Sequence, residues 1–165
     1  MSPGLSIRKY KSTDAEAATQ VYKRSVAEIG PEKYSPEQVE AWASYPGDFE
    51  EFYETLESGS TIVAESQGAV VSFGSMSSRE HLSYIYTLKE YARRGIAASI
   101  YKELEKYAAQ QGAGRIVTEA SLISVPFFES MGFTELEKEI VNRKGVEFER
   151  VRMKKTLDGT YNKNY

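Results

Sequence analysis

Apolar residues recur along this chain at two spacings, and the switches between them divide it into strands and helices. Ser6-Ile7-Arg8-Lys9-Tyr10 alternates and predicts a short first strand. From Thr13 the period lengthens. Ala15, Ala18, Tyr22, Ser25 and Ile29 share one helical face, opened by a Thr13/Glu16 capping box and closed at Gly30-Pro31. Ser35-Pro36-Glu37-Gln38 is a second capping box with proline at the first helical position, and it starts a short helix through Val39 and Trp42. Asp48 is placed to cap a third segment carrying Phe49, Phe52 and Leu56.

Two β runs, Ser60 to Glu65 and Ala69 to Met76, flank a Ser66-Gln67-Gly68 turn. Leu82 to Leu88 is a further β-rich run. A long amphipathic helix follows with Ile96, Ile100, Leu104, Tyr107 and Ala108 on one face, ending near Gly112-Ala113-Gly114. Arg115 to Ala120 reads as a buried strand and Val125 to Met131 as a short helix. Thr134 to Asn142 and Val146 to Lys155 close the pattern as a hairpin about Arg143-Lys144-Gly145. The tail from Asp158 to Tyr165 is polar and reads as loose.

The junction after the Leu82–Leu88 run carries the chemistry. Strand, small-residue turn and helix start, in that order, make an anion site. Small residues let a phosphate approach the backbone, the first helical N–H groups lack partners, and the helix dipole favours negative charge. The turn is no Walker loop, because no Lys-Ser/Thr follows Arg94-Gly95-Ile96, and it supplies only one glycine of a dinucleotide fingerprint.

Bulk properties narrow the choice. A chain of 165 residues suits one domain, taken here as 1–165 with 158–165 as its tail. The balance of 21 basic against 24 acidic residues, net charge -3, argues against a dedicated nucleic-acid binder. The absence of cysteine removes disulfides, a thiol nucleophile and Cys-based zinc sites, and no metal is expected. Neither a leader pattern nor a membrane-spanning run is visible, so the expected location is the cytoplasm, away from membranes.

Ala92-Arg93-Arg94-Gly95-Ile96-Ala97 resembles the Q/R-x-x-G-x-G/A signature of the GNAT N-acetyltransferase superfamily, related to histone acetyltransferases. Gly95 and Ala97 match, while Ala92 replaces the usual Gln or Arg. Ser124-Val125-Pro126-Phe127-Phe128-Glu129-Ser130-Met131-Gly132-Phe133 resembles the family's A-x-x-F-Y-x-x-x-G-F segment. Tyr34 to Gln38 and Ser121 to Phe133 are similar to patterns of a bacterial subgroup.

The resemblance covers about Ile7 to Lys155. It implies an α/β (α+β) fold whose mixed, mostly antiparallel sheet is splayed between its fourth and fifth strands and flanked by helices. It further implies acetyl-CoA as acetyl donor and transfer to a primary amine by direct attack. In that reading Tyr86 or Thr87 supplies the backbone N–H that polarises the thioester carbonyl. The N–H groups of Arg93, Arg94, Gly95, Ile96, Ala97 and Ala98 hold the pyrophosphate, with Ser124 and Phe128 beside the cofactor. The family often places its acid tyrosine where this chain has Phe128, which cannot donate a proton. Solvent, Ser121, Ser124 or a fourth-strand tyrosine are the candidate substitutes, the alternative being that no acid is required.

Each candidate also has a structural reading. Tyr84 and Tyr86 share a strand face and suit core packing. Glu119, a charge in an otherwise apolar strand, is either a base, its pKa raised by desolvation, or half of a strand-end salt bridge. His81, beside Glu80 at a turn, reads as an exposed loop histidine. Ser121 and Ser124 suit a helix cap as well as a contact to CoA. The alternative to an enzyme is a GNAT-shaped module that binds CoA or a partner without turnover. A homodimer is compatible with either.

Overall fold

A computed structural model describes residues 4–45 and 49–158. The expectations for Asp48 as a cap and for a loose tail beyond Asp158 lie outside the described residues. The first strand, β1 (Leu5–Lys9), leads through a 3-10 turn at Ser12–Asp14 into α1 (Ala15–Ile29). The Thr13/Glu16 capping box is not what opens that helix. Asp14 is the N-cap residue, yet its side chain caps no helical N–H: its carboxylate turns back to accept the Lys11 N–H at 2.8 Å and the Arg8 guanidinium at 2.8 and 2.9 Å. A bidentate, charge-assisted contact from the preceding strand outweighs a neutral hydroxyl cap.

Helix α1 ends as expected before Gly30 and Pro31. Next comes α2 (Pro36–Ala43), where Ser35 and Gln38 form the reciprocal box, Ser35 Oγ accepting the Gln38 N–H at 3.2 Å. Helix α3 (Phe49–Ser58) leads to β2 (Ser60–Ser66), β3 (Ala69–Ser78) and β4 (His81–Thr87). The remaining elements are α4 (Ile96–Gln110), β5 (Arg115–Ser121), α5 (Val125–Ser130), β6 (Thr134–Arg143) and β7 (Val146–Thr156).

The strands form a 7-stranded sheet in the order β1-β2-β3-β4-β5-β7-β6. Every neighbouring pair is antiparallel except β4 and β5. Those two are parallel and register only at His81–Val117 and Leu82–Thr118, after which they part. The splay expected between the fourth and fifth strands is therefore present.

Helix α4 packs on one face of the sheet and α1 and α3 on the other. Gly74 in β3 shows how closely α4 is seated: a Cβ there would come within 2.8 Å of Ile100 Cγ2 and 3.0 Å of Leu104 Cδ1. Ile96, Ile100, Leu104 and Ala108 of α4 are all buried, and full burial of a large aliphatic side chain contributes roughly 1.5–3 kcal/mol. On the opposite face Phe73, Tyr84 and Tyr86 meet the helices, with ring centroids 6.0 Å apart for Phe52–Phe73, 5.1 Å for Phe52–Tyr84 and 4.6 Å for Tyr22–Tyr86. Among the described residues no helix is long and apolar enough to cross a membrane.

Candidate active site

The parting of β4 and β5 opens a cleft of about 960 Å³. Its β4 wall follows from the register with β3. The Leu88 N–H donates to Val71 O at 3.0 Å, which makes that facing pair hydrogen-bonded. Bonded and non-bonded pairs alternate along an antiparallel ladder, and the register runs through Ser72–Thr87, Phe73–Tyr86 and Gly74–Ile85. The main-chain groups of Tyr86 thus turn toward β3, while those of Ile85 and Thr87 turn into the space that β5 has left. Of the two N–H groups expected to polarise a carbonyl, that of Thr87 turns into the cleft and that of Tyr86 turns to β3. Ile85, which sequence reasoning missed, joins Thr87, because strand parity becomes readable only once the partner register is known.

At one end of the cleft the chain makes a 3-10 turn at Lys89–Tyr91 and then two left-handed steps, Arg93 at φ 62° and Gly95 at φ 80°. Helix α4 starts immediately. Its first backbone bond runs from the Ser99 N–H to Gly95 O at 3.0 Å, so the N–H groups of Ile96, Ala97 and Ala98 have no acceptor within the helix. No acidic residue stands in that first turn. A Cβ built on Gly95 meets nothing within 4 Å, so the approach to these donors is open. Arg93, Gly95, Ile96, Ala97 and Ala98 line the cleft. Arg94 turns aside, its guanidinium lying 5.2 Å from the centre of the Tyr91 ring.

The middle of the cleft is aromatic. Tyr22, Trp42, Tyr45, Tyr84 and Tyr86 all contribute to its wall, and the Tyr45 and Tyr84 hydroxyls lie 3.1 Å apart. Burial pushes the Tyr86 hydroxyl up to about 12 and drives Tyr84 further still. Both phenols therefore hold their protons at neutral pH. Phe128 is 2 % exposed and stacks edge-on with Phe127 and Phe133. Ser121 and Ser124 bind each other, Oγ to Oγ at 3.0 Å, and Ser121 Oγ accepts the Ser124 N–H at 3.2 Å. They close the turn before α5 while still lining the cleft.

At the far end, Glu119 and His81 face each other across the last point where β4 and β5 touch, with Glu119 Oε2 2.7 Å from His81 Nε2. This corrects two expectations. His81 is the first residue of β4 and a member of the cleft wall, not a loop histidine. The carboxyl of Glu119 lies below its ordinary range, because the hydrogen bond from His81 outweighs the opposing effect of burial. Among the described residues no group of three or more His, Cys, Asp or Glu is arranged to hold a metal ion.

Residues 31–157 match the family model of the acetyltransferase (GNAT) domain. This chain belongs to the GNAT acetyltransferase family. Transfer of acetyl from acetyl-CoA is that family's activity.

A GNAT chain of similar sequence is YafP of Escherichia coli (strain K12), an uncharacterized N-acetyltransferase, 30% identical over 145 residues that make up 87% of this chain and 91% of YafP. A GCN5-related N-acetyltransferase from Rhodopseudomonas palustris superposes with a TM-score of 0.89 at 28% identity, covering 95% of this chain and 98% of that one. PaiA N-acetyltransferase from Thermoplasma acidophilum, solved in complex with coenzyme A, shares the fold at a TM-score of 0.76 and 20% identity, over 95% of this chain and 100% of its own.

Proposed function

We propose that this GNAT protein transfers the acetyl group of acetyl-CoA to a primary amine of a small molecule or peptide, by direct attack and without an acetylated enzyme intermediate. The observation that carries the reading is the pairing edge of β4. Ile85 and Thr87 offer main-chain groups beside an anion loop at the start of α4, in one continuous cleft. The diphosphate is assigned to the N–H groups of Arg93 to Ala98, and the pantetheine arm to the free edge of β4, where it pairs as an added strand would. An N–H from the end of β4 then faces the thioester oxygen, where negative charge develops as the amine attacks.

The absence of cysteine leaves no thiol to carry the acetyl group. Phe128 offers no proton to the departing sulfur. A thiol with a pKa near 8.5 leaves as a tolerable anion or takes a proton from the attacking nitrogen. Ser121 and Ser124 line the cleft on the β5 side, and their mutual hydrogen bonds suit them as cofactor contacts rather than acids.

The test is incubation with acetyl-CoA and a panel of tyramine, spermidine, kanamycin and a lysine-ended peptide, with released CoA thiol as readout. Amine-dependent CoA release is expected. Tight acetyl-CoA binding with no release on any amine would favour the second reading, a CoA-binding module, which the lack of a hydroxyl at Phe128 supports.

A further inference from the structure

The two residues that break the β3–β4 ladder are the two whose hydroxyls surround the His81 ring. Ser75 pairs with Tyr84 but Met76 pairs with Leu82, which leaves Ser83 unpaired. Met76 pairs with Leu82 but Ser78 with His81, which leaves Ser77 unpaired. Bulges of this kind re-aim side chains. Ser75 reaches the α3 side through its contact to Thr55 O at 3.4 Å. Met76 and its partner Leu82 therefore turn to the opposite face, and His81 turns to the face that carries Tyr84 and Tyr86. Without the extra residue at Ser83, His81 would sit on the α4 face, away from the cleft.

The hydrogen bonds then fix the ring. Glu119, held as a carboxylate, can only accept, so Nε2 carries a proton. In neutral His81 the lone pair is on Nδ1, where Ser77 Oγ lies at 2.7 Å and Ser83 Oγ at 3.1 Å, both able to donate. Ser83 lines the cleft and Ser77 does not. The other charges around this pair are already matched. Arg152 binds Glu137 at 2.7 Å, Arg150 binds Glu139, and Arg115 faces Glu80 at 3.7 Å. Arg150 and Arg152 act on Glu119 only at longer range, and His81 is its hydrogen-bond partner.

We propose that His81 is the proton acceptor of the transfer reaction, reached from the cleft through Ser83, with Glu119 as its positioning residue. The proposal rests on the reading of the protein as an amine acetyltransferase. An incoming ammonium gives one proton to Ser83 Oγ while the hydroxyl proton of Ser83 passes to His81 Nδ1. The resulting imidazolium is held between Ser83 and the Glu119 carboxylate. The freed amine attacks the thioester carbon, and the second nitrogen proton leaves with the CoA sulfur as the carbon–sulfur bond breaks. The products are the amide and CoA thiol, and His81 returns its proton to solvent. This moves the base assignment from Glu119 to the neighbour that Glu119 orients.

The experiment uses the panel amine that supports the fastest CoA release. His81→Gln is expected to lower kcat about a hundred-fold, to leave the KM for acetyl-CoA unchanged and to remove the acidic limb of the pH–rate profile. Imidazole added to His81→Ala should restore turnover, which loss of a packing group alone would not allow. Because this chain has one histidine, its ring nitrogens can be followed by NMR without assignment. In the native protein the neutral ring should carry its proton on Nε2, and Glu119→Gln should relax that preference and lower kcat less than His81→Gln does. A His81→Gln variant that keeps the acidic limb, whatever its rate, overturns the proposal. So does a native ring with its proton on Nδ1, which can be read even if the substituted proteins fail to fold. If the native protein binds acetyl-CoA yet acetylates no amine, the transfer reading itself falls, and this proposal with it.

Discussion

Gly95 offers a test of the anion loop in which folding and binding separate cleanly. Gly95→Ala places a methyl group at a backbone position with φ 80° and nothing within 4 Å. The folded protein therefore meets no clash, only the cost of a left-handed non-glycine residue, about 1–2 kcal/mol. For a chain of this size that lowers Tm by roughly 2–8 °C. Binding is affected by a different quantity. If the diphosphate of acetyl-CoA sits on this loop, the added methyl group stands in the space it must cross to reach the N–H groups of Ile96 to Ala98. Losing two backbone donors to a charged oxygen, at about 1.5–3 kcal/mol each, removes roughly 3–6 kcal/mol, or about a hundred-fold to ten-thousand-fold in affinity. Gly68→Ala is the matched control, since Gly68 has φ 83°, equally empty surroundings and a place in the β2–β3 turn outside the cleft. Titration calorimetry with acetyl-CoA should show near-native affinity for Gly68→Ala and the large loss for Gly95→Ala, with similar Tm values. A folded Gly95→Ala protein that binds within about threefold of native, against the loss worked out above, would refute the loop assignment.

Other outcomes follow from single contacts. Asp14→Asn removes the anion that Arg8 and the Lys11 N–H share and should cost about 2 kcal/mol at pH 7 in urea unfolding, below the figure for a fully buried pair because Arg8 is partly exposed. The Arg8 contact depresses the Asp14 carboxyl, so its contribution is complete above the unfolded value of about 3.9 and is lost as pH falls through the lower folded value; the gap between native and variant should shrink in that acid range. Tyr86→Phe should keep kcat within about threefold, since a phenol pushed up to about 12 is a poor match for a thiolate near 8.5, whereas a working acid would cost a hundred-fold or more. Lys155→Met removes the cation bound to the buried carboxylate of Glu105 in α4 and should lower stability by about 2–3 kcal/mol without changing acetyl-CoA affinity.

The strand–turn–helix junction at Arg93 to Ala98 was legible in the sequence because its determinants are local: a β run, small residues at Gly95, Ala97 and Ala98, and the start of a helix. The splayed sheet was legible only through family resemblance, since no local pattern says that β4 and β5 part after Leu82. The His81–Glu119 pair was hidden for a physical reason. It joins residues 38 positions apart, and it depends on the unpaired Ser83 reversing the parity of β4. Serines in a strand carry no signal that marks them as bulges. Of the two readings of Glu119 the ion pair is the one the structure holds, and the raised pKa is not; burial can be inferred from an apolar strand, whereas the hydrogen-bond donor cannot. At α1 the Thr13/Glu16 box looked sufficient until Arg8, on the preceding strand, turned out to bind Asp14.

The seam between β4 and β5 also bears on how the protein holds together. Two register pairs, the Val117 N–H to Glu80 O bond at 2.7 Å and the Thr118 hydroxyl to Leu82 O bond at 2.9 Å join the half-sheets at one end only. A ligand that pairs along the open length of β4 completes hydrogen bonding that the polypeptide leaves undone. Occupancy and folding then become thermodynamically linked, with about 2.7 kcal/mol of added stability when ligand stands at a hundred times its dissociation constant. Hydrogen exchange along β4 and β5 should slow together on adding acetyl-CoA, and the half-life of the protein in a cell would then follow the supply of its acetyl donor.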